Sequence, residues 1–158
     1  MKYSRFEDLP VWQAASDLAL RIFAIGEKTP LRRHRSLRDQ IERAALSVSN
    51  NIAEGFERGT TPELLTFLYI ARGSAGEVRS MLCLMERMGA FSDLKSEISN
   101  LKSLAESISR QLRGWAGTLQ DSPIRGQRYL TSKTRRVDQA RHERDEFLHE
   151  LDTLRKKT

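Results

Sequence analysis

Apolar residues recur along this chain at spacings of three and four and never settle into strict alternation, a pattern that predicts helices throughout. The first helix begins near Asp8, tolerates Pro10 in its first turn, and carries Val11, Ala15, Leu18, Ile22 and Ile25 before ending around Gly26. The polar segment KTPLRRHRSLR follows. A second helix then places Leu37, Ile41, Ala45, Val48, Ile52 and Phe56 on one face until Gly59 stops it. The segment TTPE reads as a start signal, with Thr61 as N-cap, Pro62 at the first helical position and Glu63 against the positive end of the helix dipole. The third helix carries Leu64, Leu68, Ala71, Ala75, Val78, Leu82 and Met85 and stops at Gly89. Ser92 and Asp93 restart the chain into a heptad-like seam of Leu94, Ile98, Leu101, Leu104 or Ala105, Ile108, Leu112, Trp115 and Leu119. Four helices with short connections describe an all-α, up-and-down four-helix bundle over residues 1–119.

After Leu119 the pattern changes. Residues 120–131, with Pro123 and Gly126 and no apolar period, read as a linker. Residues 132–158 read as a charged C-terminal helical extension, with Val137, Ala140, Phe147 or Leu148, Leu151 and Leu154 as a thin apolar stripe. Such a stripe is too narrow for a central core helix and suits packing across another chain or a groove, or ordering only with a partner.

Composition narrows the functional classes. At 158 residues the chain has room for one core and an appendage. No apolar run approaches a membrane span, and the N-terminal MKYSRFEDLP lacks the apolar region of a signal peptide, so a cytoplasmic location is expected. Cys83 is the single cysteine, which excludes an internal disulfide and a cysteine-based zinc site. Lys and Arg outnumber Asp and Glu 27 to 21, and the net charge of +6 favours polyanionic partners. Residues 1–119 and residues 120–158 each contribute +3, so the tail is the denser in positive charge.

The second helix carries an unusual outer face. At 100° per residue, Arg43, Ser47, Asn50, Glu54 and Glu57 fall opposite its apolar stripe, while Ala44, Asn51 and Gly55 run between the two faces. Asn and Gly cost about 0.5–1 kcal/mol each in a helix relative to Ala, so their use calls for a compensating contact. Gly73 and Gly76 repeat the feature on the third helix, away from Leu64 and Leu68. Ala44, Ser47, Asn50, Asn51, Glu54, Gly55, Gly73 and Gly76 are therefore the candidate subunit interface, where short side chains let a neighbouring backbone approach.

The stretches FEDLPVWQAASDL, SVSNNIAEGFERGTTPELLTFLYIARGSAGEV and the closing helix to Leu119 resemble the bacterial four-helix bundle proteins known as 23S rRNA intervening-sequence or ribosomal S23-like proteins. Asp8, Leu9, Val11, Trp12 and Gln13 match the family's first motif, and Asn51, Ile52, Ala53, Glu54 and Gly55 its central one. The resemblance implies a bundle assembling into a homopentameric ring. The accessory protein of diversity-generating retroelements is similar in architecture, which implies nucleic acid or a reverse transcriptase as partners. In two places the chain departs from the family: Ser49 stands where a proline is common, which should leave the second helix less kinked, and the tail from residue 120 has no counterpart in short family members.

An enzyme is not expected. None of His34, His142 and His149 stands near a nucleophile with an orienting acid, and Glu54 lacks the second carboxylate most acid–base chemistry needs. His142, Glu146 and His149 share a face at spacings of four and three, but a di-iron site needs a second Glu-x-x-His that this chain lacks, and a solvated charged face is the better reading. No cofactor or metal is expected. Nucleic-acid binding has more support: Lys28, Arg32, Arg33, Arg35 and Arg38 cluster between the first two helices, and Arg125, Arg128, Lys133, Arg135 and Arg136 ahead of the tail helix. Aromatic residues do not interleave with either cluster except Tyr129, so contact with the phosphate backbone is favoured over base stacking. The bland alternative is a pair of solubilising loops. The sequence thus points to an oligomeric basic scaffold for RNA, DNA or an RNA-handling protein, with a protein-interaction scaffold lacking nucleic acid as the second reading.

Overall fold

Within residues 3–121 five α-helices run as α1 (Pro10–Gly26), α2 (Thr29–Arg33), α3 (Arg35–Glu57), α4 (Thr61–Arg87) and α5 (Lys95–Gln120). The computed structural model describes residues 3–121 and, beyond them, residues 140, 143, 144 and 147, all four helical. No strand occurs among the described residues. The chain divides into two compact units, residues 1–126 and 127–158.

The first unit is a four-helix bundle. α3 packs on α4 and α4 on α5, while α1 lies against α3 and α5 and closes the square. Neighbouring helices run antiparallel: Glu86 near the end of α4 meets Lys102 near the start of α5, whereas Tyr69, early in α4, meets Gln120 at the end of α5. Each stripe read from the apolar period enters the core, and Leu64, Leu68, Ala71, Ala75, Val78, Leu82 and Met85 of α4 are all buried. Leu37 is only half-buried at the start of α3, and on the last seam the core takes Ala105 while Leu94, Leu104, Trp115 and Leu119 pack half-buried at its edge.

The helix ends differ from the sequence expectation in three places. Thr60, not Thr61, caps α4: its hydroxyl accepts from the Glu63 backbone N–H and donates to the Glu63 carboxylate, and Thr61 and Pro62 then occupy the first turn. The segment between α1 and α3 is no open loop, because Thr29–Arg33 coils into the short α2 around the buried Leu31. A 3-10 helix over Gly89–Leu94, held by the buried Phe91, turns α4 into α5.

Both sequence motifs are spent on the fold. A 3-10 turn at Phe6–Asp8 precedes α1, where Gln13 Nε2 donates to the Glu7 carbonyl at 2.9 Å and the Trp12 ring meets Phe6 edge-on at 5.2 Å between centroids. With Ser49 in place of a proline, α3 runs uninterrupted, and the Ser49 hydroxyl donates back to the Leu46 carbonyl at 3.2 Å. The α3–α4 turn is tight, and Gly59, at φ 81°, supplies the left-handed residue that a side chain would strain.

Candidate nucleic-acid interface

The basic cluster sits at the end of the bundle where α1 finishes, α3 starts, α4 finishes and α5 starts. Leu31 is fully buried, so the five-residue α2 is pinned by that one side chain, and its neighbours Arg32 and Arg33 are left outside. His34 breaks α2 from α3 with φ −106° and ψ 65°, and its ring rests on Phe91 at 5.7 Å between centroids. Arg35 opens α3 on the solvent side.

The five predicted cations do not behave alike. Lys28 pairs with Glu97 at the start of α5, tying the α1–α2 connection down. Arg38 is bracketed by Glu27 and Glu42, and its guanidinium is held charged above its ordinary range, first by the hydrogen bond to Glu42 and then by the charge of both acids. Arg32, Arg33 and Arg35 are exposed and meet no carboxylate among the described residues. The same end adds Arg87 and Lys95, also exposed and without an ion pair among the described residues, which sequence spacing alone does not bring together. Antiparallel topology does, since it sets the end of α4 and the start of α5 beside α2. Arg125, Arg128, Lys133, Arg135 and Arg136 lie outside the described residues, as do His142, Glu146 and His149.

The opposite end is acidic. Glu7, Asp8, Glu54, Glu57, Glu63 and Asp121 gather there with Arg5 and Arg58, and both arginines are ion-paired, to Glu7 and Glu54 respectively. Arg58 also lies over the Phe67 ring, 5.2 Å from its centroid.

Two residues assigned to a subunit interface face inward instead. Ala44 is buried in the core. Gly55 is buried against α4, where an added Cβ would stand 2.7 Å from Phe67 Cβ and 3.2 Å from Leu64 Cδ1. What approaches Gly55 is therefore α4 of the same chain, through Phe67 and Leu64. Asn51 is half-buried and donates to the Ser47 carbonyl at 2.7 Å and to its hydroxyl at 3.0 Å, and Ser47 meets Ser74 of α4 at 2.9 Å. This polar ladder crosses from α3 to α4 within one chain. Glu54 pairs with Arg58 one turn on, along its own helix. Asn50, Gly73 and Gly76 remain exposed, and a Cβ at either glycine would meet nothing within 4 Å.

An open groove of about 570 Å³ lies between the start of α3 and the end of α4, lined by His34, Ser36, Leu37, Gln40, Glu77, Met81, Leu84 and Met88 among others. Among the described residues no group of His, Cys, Asp or Glu could hold a metal ion, and no helix is long and apolar enough to cross a membrane.

A family model described as 23S rRNA-intervening sequence protein matches residues 7–114. No protein of curated function matches the chain.

Proposed function

Because the chain belongs to the 23S rRNA-intervening sequence protein family, we propose that it is a non-enzymatic, ring-forming basic scaffold of the cytoplasm that binds RNA or another nucleic acid, an RNA-handling protein such as a reverse transcriptase, or both. The observation that carries the nucleic-acid reading is the clustering of unpaired cations. Arg72, Arg79 and Arg113 are also exposed without an ion pair among the described residues but stand apart along the bundle, whereas Arg32, Arg33 and Arg35 stand together at one end. Three such guanidiniums on a pinned helical corner suit phosphate oxygens, which they can engage in a bidentate manner.

Self-assembly finds support in large apolar side chains left exposed on different faces, Leu20 of α1 and Leu46 of α3 on one side and Ile70 of α4 on another. In a ring closed by cyclic symmetry equivalent ends share one face, so the basic corners would repeat on a single side and bind a long polyanion multivalently.

The test is the salt dependence of RNA affinity. Glutamine at Arg32, Arg33 and Arg35 together should weaken unrelated RNAs alike and reduce the slope of log affinity against log salt by about 0.7–0.9 for each phosphate no longer neutralised. Glutamine at Lys28 and Arg38, already paired, should change the slope less. Negligible RNA affinity of the intact protein at physiological salt would leave the protein-interaction scaffold in its place.

A further inference from the structure

The geometry points to a single-stranded RNA site at the basic corner, in which the groove between α3 and α4 takes an unstacked nucleobase while Arg32, Arg33 and Arg35 hold the flanking phosphates. This rests on the nucleic-acid reading above and specifies its ligand. The groove is built from three kinds of surface that a base needs. His34 supplies a planar aromatic face, half-buried and braced from behind by the buried Phe91. Leu37, Met81 and Met88 supply an apolar floor, in which the unbranched methionines adapt to a flat ring. Gln40 and Glu77 supply polar atoms for a base edge: an amide that both donates and accepts, and a carboxylate that accepts from an exocyclic amine.

Charge complementarity selects a nucleotide over other apolar guests. His34 and Ser36 line the groove, and Arg33 and Arg35 are their chain neighbours, so two of the exposed cations begin about 3.8 Å along the backbone from groove-lining residues. An apolar peptide would leave those guanidiniums unanswered. The groove's volume of about 570 Å³ lies in the range of small-ligand pockets, about 300–1,000 Å³, ample for one base and its sugar. A duplex cannot use the groove, because its bases are stacked and paired and their faces are hidden. Leu84 is 52% exposed at the rim, an apolar surface that a stacked base would cover.

The experiment compares the intact protein's affinity for a short fluorescein-labelled single-stranded RNA with its affinity for the same RNA annealed to its complement, at matched salt. The single strand should bind more tightly. H34A should weaken the single strand about tenfold, the scale of losing one stacked base, with little change for the duplex and none in the salt slope. H34F should restore the loss. L84S, at a site away from the Phe91 ring, should repeat the selective loss with the melting temperature unchanged. Loss of both RNA forms alike, or of neither, overturns the base site while leaving the arginine-dependent reading intact. Dissociation of the assembly by L84S would overturn it too, since a second copy would then fill the groove. Absence of any RNA binding would instead remove the nucleic-acid reading itself.

Discussion

The two ends of the bundle solve the same problem differently. At the α3–α4 end three residues make the turn, Gly59 supplies the left-handed backbone, Thr60 caps α4, and both arginines are ion-paired. At the other end the chain takes a detour through α2, and leaves Arg32, Arg33 and Arg35 without a carboxylate among the described residues. Paired charges and a capped helix are what stability alone selects. Adjacent guanidiniums with no counter-charge repel one another, and that contrast between the ends is what the proposed nucleic-acid reading rests on. Both motifs that carry the family likeness fall in the structural class: Gln13 and Trp12 hold the turn before α1, and Asn51 and Gly55 seat α3 on α4.

The contrast breaks most sharply at Gly55. Leucine there would drive its Cβ into Phe67 Cβ and Leu64 Cδ1, both in the packed seam, and should cost at least the ~1–3 kcal/mol typical of an overfilled core. Thermal unfolding followed by circular dichroism should show a melting temperature lower by about 4 °C or more. The same substitution at Gly73, exposed inside α4 with nothing within 4 Å, should raise the melt slightly because leucine is the better helix former, and a lowered assembly state there would report that this face meets another subunit. Equal melts for the two variants would contradict a tight α3–α4 seam.

Why the sequence placed Gly55 and Ala44 at a subunit interface is instructive. Helical period gives the angle of a residue around its own axis and so separates the Ile41 and Ile52 face from the Asn50 and Glu54 face, as the structure has it. A residue at the boundary between faces is ambiguous, because the period says nothing of which helix lies alongside. The α4 stripe, seven residues long and unbroken, carried no such ambiguity and entered the core whole. Pairing of the basic cluster was half legible: Arg38 and Glu42 stand four apart on one helix, a spacing that brings side chains together, whereas Lys28 and Glu97 meet across 69 positions. The capping threonine was misplaced by one residue, since Thr60 and Thr61 both precede Pro62 and either could be read as the cap.

Thr60→Ala probes the structural end more gently. It removes the hydroxyl that satisfies the Glu63 N–H, and such a cap is worth about 1 kcal/mol, so chemical denaturation should show that loss with an unchanged slope. The counterpart at the basic end is glutamine at Arg32, Arg33 and Arg35 together. With no ion pair to lose among the described residues, the change in unfolding free energy should stay within about 0.5 kcal/mol while RNA affinity falls. A large loss of stability there would mean the arginines hold the fold after all.

The smallest effect lies on the α4–α5 seam near the basic end, where Lys102 of α5 meets Glu86 of α4. The hydrogen bond to Glu86 raises the Lys102 pKa above its ordinary 10.5, against a smaller opposing effect of burial. A cation whose pKa is higher folded than unfolded stabilises fully below the unfolded value and loses that contribution only as pH rises through the folded one. The pair should therefore contribute equally at neutral and mildly alkaline pH and fade above the ordinary lysine range. Lys102→Met should lower the melting temperature slightly and by the same amount across the neutral range, with the difference from the parent protein closing only in strong alkali. A difference that instead persisted unchanged into strong alkali would show that the pair is not the source of the stabilisation and that the lysine acts through its packed methylene stem.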